Sequence, residues 1–384
     1  MTGIVRLVLA SSLVQRSGVP MTQTYVPYSD DVETIDPDEQ KTFEKIVEVM
    51  GKGGEITRER YKHYVRVSHA KAHGIVRGHL EVLPDLPDAL RQGLFAQTRT
   101  YPVVARMAHV PGEILDDRKV SNPRGLAIKI FEVEGKKLPG HTGAATQDFV
   151  LDSGSPSFIA PGAKSFLASI SAVEASTPMP EGVKSAVSTV SRAANAVLNA
   201  VGLNSANLDF FGHPRLHPLV ETYYSQAAVR YGDYIAKLGV FPETAALRDM
   251  VEKTLDITDE NGLRAAVVEW FATNSAEFTI KVQLCTDLKS MPVEDAHKIW
   301  PEDESPYLPV ARLVLPRQDA FSQAARDIVD EDLLFCPAHS LAAHRPLGSV
   351  MRARMHAYEV LGMRRRVANN RATTEPMAVP SLEQ

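Results

Sequence analysis

Residues 354–358 read Arg-Met-His-Ala-Tyr, and Arg364-Arg365-Arg366 follow shortly after. On a helix, an arginine four places before a tyrosine shares its face. A guanidinium held against a phenol favours the phenolate and lowers the tyrosine pKa. At about 100° per residue, Arg365 returns to the Tyr358 face, and Gly362 between them leaves room for something bulky. One tyrosine flanked by two arginines suits a flat dianionic ligand whose metal needs an anion. The same spacing also fits a solvated helix face or a packed tyrosine, so the stretch decides nothing until it is joined to the rest of the chain.

The chain has 384 residues, enough for one large domain or two ordinary ones. It is 44% hydrophobic and 23% charged, as a globular protein with a substantial core should be. The net charge of −5 argues against a nucleic-acid partner, which calls for a basic domain. Arg364–Arg366 is a local cluster better matched to a small anionic ligand. The two cysteines, Cys285 and Cys336, lie in apolar runs with no metal-ligand spacing and read as core residues in a reducing compartment. No segment has the length of a membrane span. Near the N-terminus Arg6 precedes the apolar run Leu7-Val8-Leu9-Ala10, but Arg16 follows and no clean cleavage site appears. The expectation is a cytoplasmic protein, with the periplasm as the alternative; Met21 is an alternative start.

Residues 1–40 read as an N-terminal arm. Thr42–Met50 has helical spacing and stops at Gly51 and Gly53. From Tyr64 to Phe131 the runs are β-like: Val65–Val67, Gly78–Val82 and Leu126–Phe131, punctuated by Gly and Pro. Residues 163–205 change to Ala, Ser, Val and Leu at helical spacing, which predicts an inserted pair of helices. Strands return at Tyr234–Val240, Phe278–Leu284 and Ala311–Leu315. Helices are expected over 243–254, 262–273 and 318–329, and a last one over 347–370 after Pro346; residues 371–384 read as a flexible tail. A β core with separate helices is α+β, with a barrel as one form.

Several stretches, in one order, resemble haem catalases. Arg66-Val67-Ser68-His69-Ala70-Lys71-Ala72-His73-Gly74 resembles the distal-histidine segment, and Gly78–Val82 its continuation. Asn122-Pro123-Arg124-Gly125-Leu126-Ala127-Ile128-Lys129 resembles the strand that follows. Phe149, Pro156-Ser157-Phe158-Ile159, Gln283–Thr286, Trp300-Pro301 and finally Arg354 and Tyr358 complete the series. The resemblance runs from about residue 40 to 368 and is nearest to the small catalase-related peroxidases, which lack a flavodoxin-like C-terminal domain. It implies a catalase-like antiparallel β-barrel with surrounding and inserted helices, in one domain over 41–370, and ferric haem b between the barrel and the C-terminal helix.

The resemblance also implies roles. Tyr358 is the axial ligand of the haem iron, and Arg354 keeps it ionised. His69 is the distal base, taking a proton from the inner peroxide oxygen and returning it to the outer one. Arg66, Arg106 and Arg365 match propionate-binding arginines. Phe149 and Phe158 wall the distal side. His217 lies where the family has a histidine supporting the proximal arginine. His63, His73, His79, His109 and His356 match no catalytic position. No NADPH site can be assigned.

Three departures bear on activity. Ala144 takes the place of the catalase asparagine opposite the distal histidine. Ala108 replaces the serine that supports that histidine. Ser68 stands where catalases have valine. Losing a donor that aligns the substrate costs catalysis a few kcal/mol, on the order of 3. The expectation is therefore a peroxidase that reduces hydrogen peroxide or organic hydroperoxides through a ferryl intermediate, uses an unidentified small organic electron donor, and disproportionates peroxide weakly. Alternatives are a true catalase, an allene oxide synthase-like fatty-acid hydroperoxide isomerase (suggested by Ser68 alone), and a non-enzymatic haem carrier. A homodimer or homotetramer is expected, with an arm that can swap between subunits.

Overall fold

A computed structural model describes residues 24–175, 212–251 and 253–382. Residues 1–20 and the later part of the expected helical insert lie outside them. Nine strands form one antiparallel sheet: β1 Ala72–Val82, β2 Thr100–His109, β3 Arg124–Ile130, β4 Gln147–Ser153, β5 Tyr223–Tyr224, β6 Val229–Tyr231, β7 Tyr234–Pro242, β8 Ala276–Leu284 and β9 Leu308–Leu315. The order is β5-β4-β3-β2-β1-β9-β8-β7-β6, and β5 also pairs with β7. That extra pairing closes eight strands into a barrel and leaves β6 as a hairpin partner of β7. The fold is the α+β barrel expected from the sequence.

Side chains alternate across each strand, so one set fills the barrel and the other faces out. Val76, Leu80, Val103, Met107, Leu126 and Ile280 are buried in the inner core. Each such side chain contributes about 1.5–3 kcal/mol of apolar burial. The outer face of β1–β3 is covered too: Ile75, Val104 and Phe131 pack with Val329, Leu333 and Phe335. Both faces of these strands are therefore partly covered, and buried polar side chains such as His73, Arg106 and Lys129 interrupt their apolar pattern.

Among the described residues, four longer helices surround the barrel: α1 Glu39–Tyr61, α2 Ala163–Ala175, α3 Gly262–Thr273 and α4 Ser349–Ala368. Helix α1 runs well past the predicted stop at Gly51. A Cβ at Gly51 would lie 2.4 Å from the Arg364 side chain, and one at Gly54 would lie 2.6 Å from the Tyr64 hydroxyl. The bare glycines let α1 press against α4 and the segment after it. That close packing outweighs a propensity cost of about 1 kcal/mol per glycine. The helix expected over 243–254 shrinks to the single turn Ala245–Arg248, whereas α3 matches its predicted span. The helix expected over 318–329 becomes the turn Gln323–Ala325 and a π-helical segment, Arg326–Asp332. Val65–Val67 forms no strand; it leads into the loop that carries His69.

The described part of the N-terminal arm lies on its own chain. Val26 N donates to Cys285 O at 2.8 Å and Tyr28 N to Asp233 O at 2.7 Å. Arg352 of α4 then pairs with Glu33, with Glu39 at 2.6 Å and with Glu294 at 3.0 Å. The tail is not free either, which corrects the sequence expectation. Glu375 pairs with Arg366 at 2.7 Å, and Leu382 is buried in the outer apolar layer. Cys285 and Cys336 are buried and unpaired by disulfide, and burial pushes the Cys285 thiol up to about 12.

Burial leaves an acid-sensitive signature. It holds His73 and His109 well below the usual imidazole range and His344 at about 4. The unfolded chain takes up these protons near pH 6.5, the folded chain only at lower pH, so the unfolded state binds more protons in between. The stability these neutral rings allow is complete above about pH 6.5 and is lost as pH falls toward 4. Thermal unfolding against pH should show a midpoint that is level above about pH 7 and falls between pH 6.5 and 4. A midpoint that stays level from pH 7 to 4.5 contradicts this reading.

Candidate active site

The outer face of the barrel makes a floor from two rows of side chains. Strand register aligns Arg106 of β2, Ala127 of β3 and Val150 of β4 in one row. Ala108, Gly125 and Asp152 form the next. Four of these six residues are small or apolar and leave the surface nearly flat. Helix α4 lies across from it and presents Arg354, Ala357, Tyr358, Leu361 and Arg365. Between the two is a cavity with about 1710 Å³ of atom-free space, its open mouth included. Ile46 and Met50 of α1 and Phe166 and Ile170 of α2 give it an apolar side.

Of the residues singled out in the sequence, Arg66, Ser68, His69, Arg106, Phe158, Arg354, Tyr358 and Arg365 line this one cavity. Phe149 does not. On β4 it points the opposite way from Val150 and Asp152, into the barrel, where it stacks on Phe95 at 6.4 Å. His217 is also elsewhere: its Nδ1 accepts from Leu219 N at 3.1 Å and its ring meets Trp270. Gln226 lines the cavity instead, buried, at φ 60°. Ala144 sits in a turn away from the cavity lining.

His69 is held in a left-handed backbone conformation, φ 59°, which is uncommon for a residue with a side chain. Backbone bonds pin it: His69 N donates to Val110 O at 2.8 Å and Ala70 N to Pro111 O at 3.0 Å. Ser68 Oγ donates to Val110 O at 3.0 Å and so braces the same loop. The His69 ring lies over Gly125, where a Cβ would sit 2.5 Å from Nδ1. Its Nε2 is 3.6 Å from Asp152 Oδ1, while Nδ1 has no hydrogen-bond partner. Burial lowers the His69 pKa and outweighs Asp152, which raises it; Arg106 and Arg354 lower it further. The ring is therefore a neutral imidazole near neutral pH.

On the other side, the Arg354 guanidinium lies 5.7 Å from the centre of the Tyr358 ring. Arg354 Nη2 donates to Val150 O at 3.3 Å and lies 3.9 Å from Asp152 Oδ2. Burial pushes the Tyr358 phenol up, and Arg354 pulls it down by charge and hydrogen bonding; burial prevails. The pull of Arg354 has the direction expected from the sequence, and burial outweighs it. A phenolate there needs a further positive charge on its oxygen, such as a bound metal ion.

The third element is a cluster of three guanidinium groups with two carboxylates, Asp330 and, 3.8 Å from Arg365, Glu331. Arg106 Nε lies 2.7 Å and Arg66 Nε 3.8 Å from Asp330 Oδ1. Arg66 Nη2 donates to the carbonyls of Val329, Asp330 and Leu333 at 3.0, 3.0 and 2.9 Å. Arg365 Nη1 donates to the carbonyls of Asp330 and Glu331 at 3.0 and 2.8 Å. The π-helical turn gives these carbonyls to arginines, and this is why a regular helix does not form there. Burial, Arg365 and Arg106 hold the Arg66 pKa well below its ordinary value, and burial lowers Arg365 to about 10. Burial pushes Asp330 up, but the three arginines overcome it and keep the carboxyl below its ordinary range. Arg66 Nε and Arg106 Nη2 remain without hydrogen-bond partners. Excess positive charge and orphaned donors beside a flat, mostly apolar cavity fit a planar ligand that carries carboxylates.

Two solved structures share this architecture. A fungal catalase superposes with a TM-score of 0.57 at 17% identity, covering 96% of this chain and 70% of the other. Catalase A from Saccharomyces cerevisiae gives 0.57 at 15% identity, covering 91% and 68%. The chain has a catalase-like fold. No protein-family model matches the sequence, and no curated protein matches it. Asp152 and Gln226 are among the polar cavity residues the sequence reading missed, with Ser153 and Ser155. The alternation of β4 carried a signal for Asp152, since it shares a face with Val150. Gln226 had none, because its place depends on the turn before β6.

Gly125 is the position where the floor meets His69. Gly125→Val should leave the barrel folded while displacing the imidazole. The expected result is a shift of the His69 ring-proton resonances, with a thermal midpoint within a few degrees of wild type. Unchanged resonances contradict the placement of the His69 ring over Gly125.

Proposed function

We propose that this chain is a haem-dependent peroxidase that reduces hydrogen peroxide or organic hydroperoxides at the expense of a small organic donor, with weak disproportionation. The single observation that carries the reading is one cavity lined by His69, by the Arg354–Tyr358 pair and by three arginines that outnumber their two carboxylates, Asp330 and Glu331. The catalase-like fold supports it, as does the match between orphaned guanidinium donors and a dicarboxylate.

Tyr358 would hold the iron of haem b through its phenolate oxygen, with Arg354 beside it to disfavour reprotonation. Arg66, Arg106 and Arg365 would bind the propionates, and Phe158 and Phe335 would wall the ring. Bound ferric haem supplies a Lewis-acidic iron and a store for the electrons that peroxide removes. His69 takes the proton from the inner peroxide oxygen and delivers it to the outer oxygen, which leaves as water. The neutral state of His69 suits the first half of that task. The apolar side from α1 and α2 keeps bulk water from the reacting oxygens. Ala108 in the cavity floor offers no polar group to align a second peroxide for oxidation to oxygen. The balance then favours an organic donor.

A second reading, a fatty-acid hydroperoxide isomerase, draws on the same apolar side and on Ser68. The Ser68 hydroxyl, however, is bonded to Val110 O rather than left for substrate.

Stopped-flow spectroscopy and an oxygen electrode on the purified holoprotein test the proposal. Peroxide should convert the haem spectrum rapidly, an organic donor should restore it, and oxygen should evolve slowly. His69→Ala should keep haem and slow the peroxide step by about 10²–10⁴-fold. Rapid oxygen evolution without a donor refutes weak disproportionation. A peroxide step untouched by His69→Ala refutes the base. Loss of a lipid hydroperoxide without any donor favours the isomerase.

A further inference from the structure

We propose that Asp152 is the counter-ion that lets His69 accept a proton, a positioning residue supplied by the strand floor in place of the missing hydroxyl at Ala108. This rests on the reading of His69 as the distal base. The geometry is specific. Ala108, Gly125 and Asp152 occupy one row across β2, β3 and β4. Ala108 at one end offers no polar group, and Gly125 in the middle lets the imidazole lie against the floor. Asp152 at the other end places Oδ1 3.6 Å from His69 Nε2. That oxygen is buried and has no hydrogen-bond partner, and His69 Nδ1 has none either. An orphaned buried carboxylate oxygen beside a buried imidazole is an acceptor waiting for an N–H.

When His69 takes the peroxide proton, both ring nitrogens become donors and the ring becomes a cation. The charged and titratable groups that face it are Asp152 on β4, Arg106 and His109 on β2, and Arg354 on α4. Arg106 and Arg354 oppose the cation; Asp152 favours it by charge, and the His109 backbone favours it as a lesser hydrogen-bond acceptor. Arg354 Nη2 lies 3.9 Å from Asp152 Oδ2, on the far side of the carboxylate from Oδ1, which faces the ring. The proton passes from the inner peroxide oxygen to His69 and on to the departing water, and Asp152 takes no part in that transfer.

The test compares wild type, Asp152→Asn and Asp152→Glu as holoproteins. Hydrogen cyanide must also lose its proton on binding ferric haem, so its affinity reports on the same base without turnover. Asp152→Asn should retain haem, weaken cyanide binding and slow the peroxide step, each by roughly tenfold or more. The acid limb of the peroxide step should move to lower pH, because His69 loses the anion that does most to raise its pKa. Asp152→Glu should recover part of both effects. Cyanide affinity and an acid limb identical to wild type overturn the proposal, as does an acid limb that moves to higher pH. Loss of haem in Asp152→Asn also overturns it, since Asp152 would then serve cofactor retention. A wild type that holds haem but does not react with peroxide fails the underlying function instead, and that outcome is visible before any variant is made.

Discussion

Three guanidinium groups gather at the end of the cavity around the partly exposed carboxylate of Asp330, with Glu331 beside Arg365. Arg66, Arg106 and Arg365 come from a loop, a strand and the last helix, and all converge on Asp330 and the carbonyls around it. Placing like charges together out of water is costly unless anions compensate them. Asp330 compensates in part, and the carbonyls of the π-helical turn supply dipoles. What remains is an excess of positive charge and two orphaned donors. This constraint ties the β2 strand, the turn at 326–332 and α4 into one unit, and it gives the cavity one end that selects anions.

The rest of the cavity follows from the barrel. A closed antiparallel sheet must turn every second residue outward, and on β2–β4 those residues face α4 rather than water. Small residues there keep the surface flat, and His69 can lie on it only because position 125 has no side chain. The bare stretch of α1 works the same way at the far edge, where Gly51 and Gly54 bring that helix against Arg364 and Tyr64. Strain at His69, φ 59°, is sustained by the backbone bonds to Val110 and Pro111. Geometry set by the scaffold, rather than by flexible side chains, thus fixes the imidazole relative to the phenol helix.

Much of this was legible in the sequence. Alternating and continuous apolar runs located β1, β3, β7, β8 and β9, and the 3.6-residue spacing located α3 and α4. The ordered motifs brought eight of the singled-out residues into one cavity. What escaped depended on contacts far apart in the chain. The length of α1 depended on packing that rewards glycine. The π-helical turn depended on arginines from three distant segments. Phe149 and Asp152 sit on one strand, and only the pairing register tells which of them faces out. The state of Tyr358 could not be read from its arginine neighbour, because burial acts against ionisation more strongly.

The central claim is that a phenolate on α4 grips the metal of a planar ligand beneath His69. The most direct measurement is the absorption spectrum and haem content of purified wild type and Tyr358→Phe, made under the same haem supply. The account predicts a haem-loaded wild type and a variant that, while folded, has lost most of its haem or carries it with a shifted ferric spectrum. A Tyr358→Phe protein with wild-type haem content and an unchanged spectrum would contradict it.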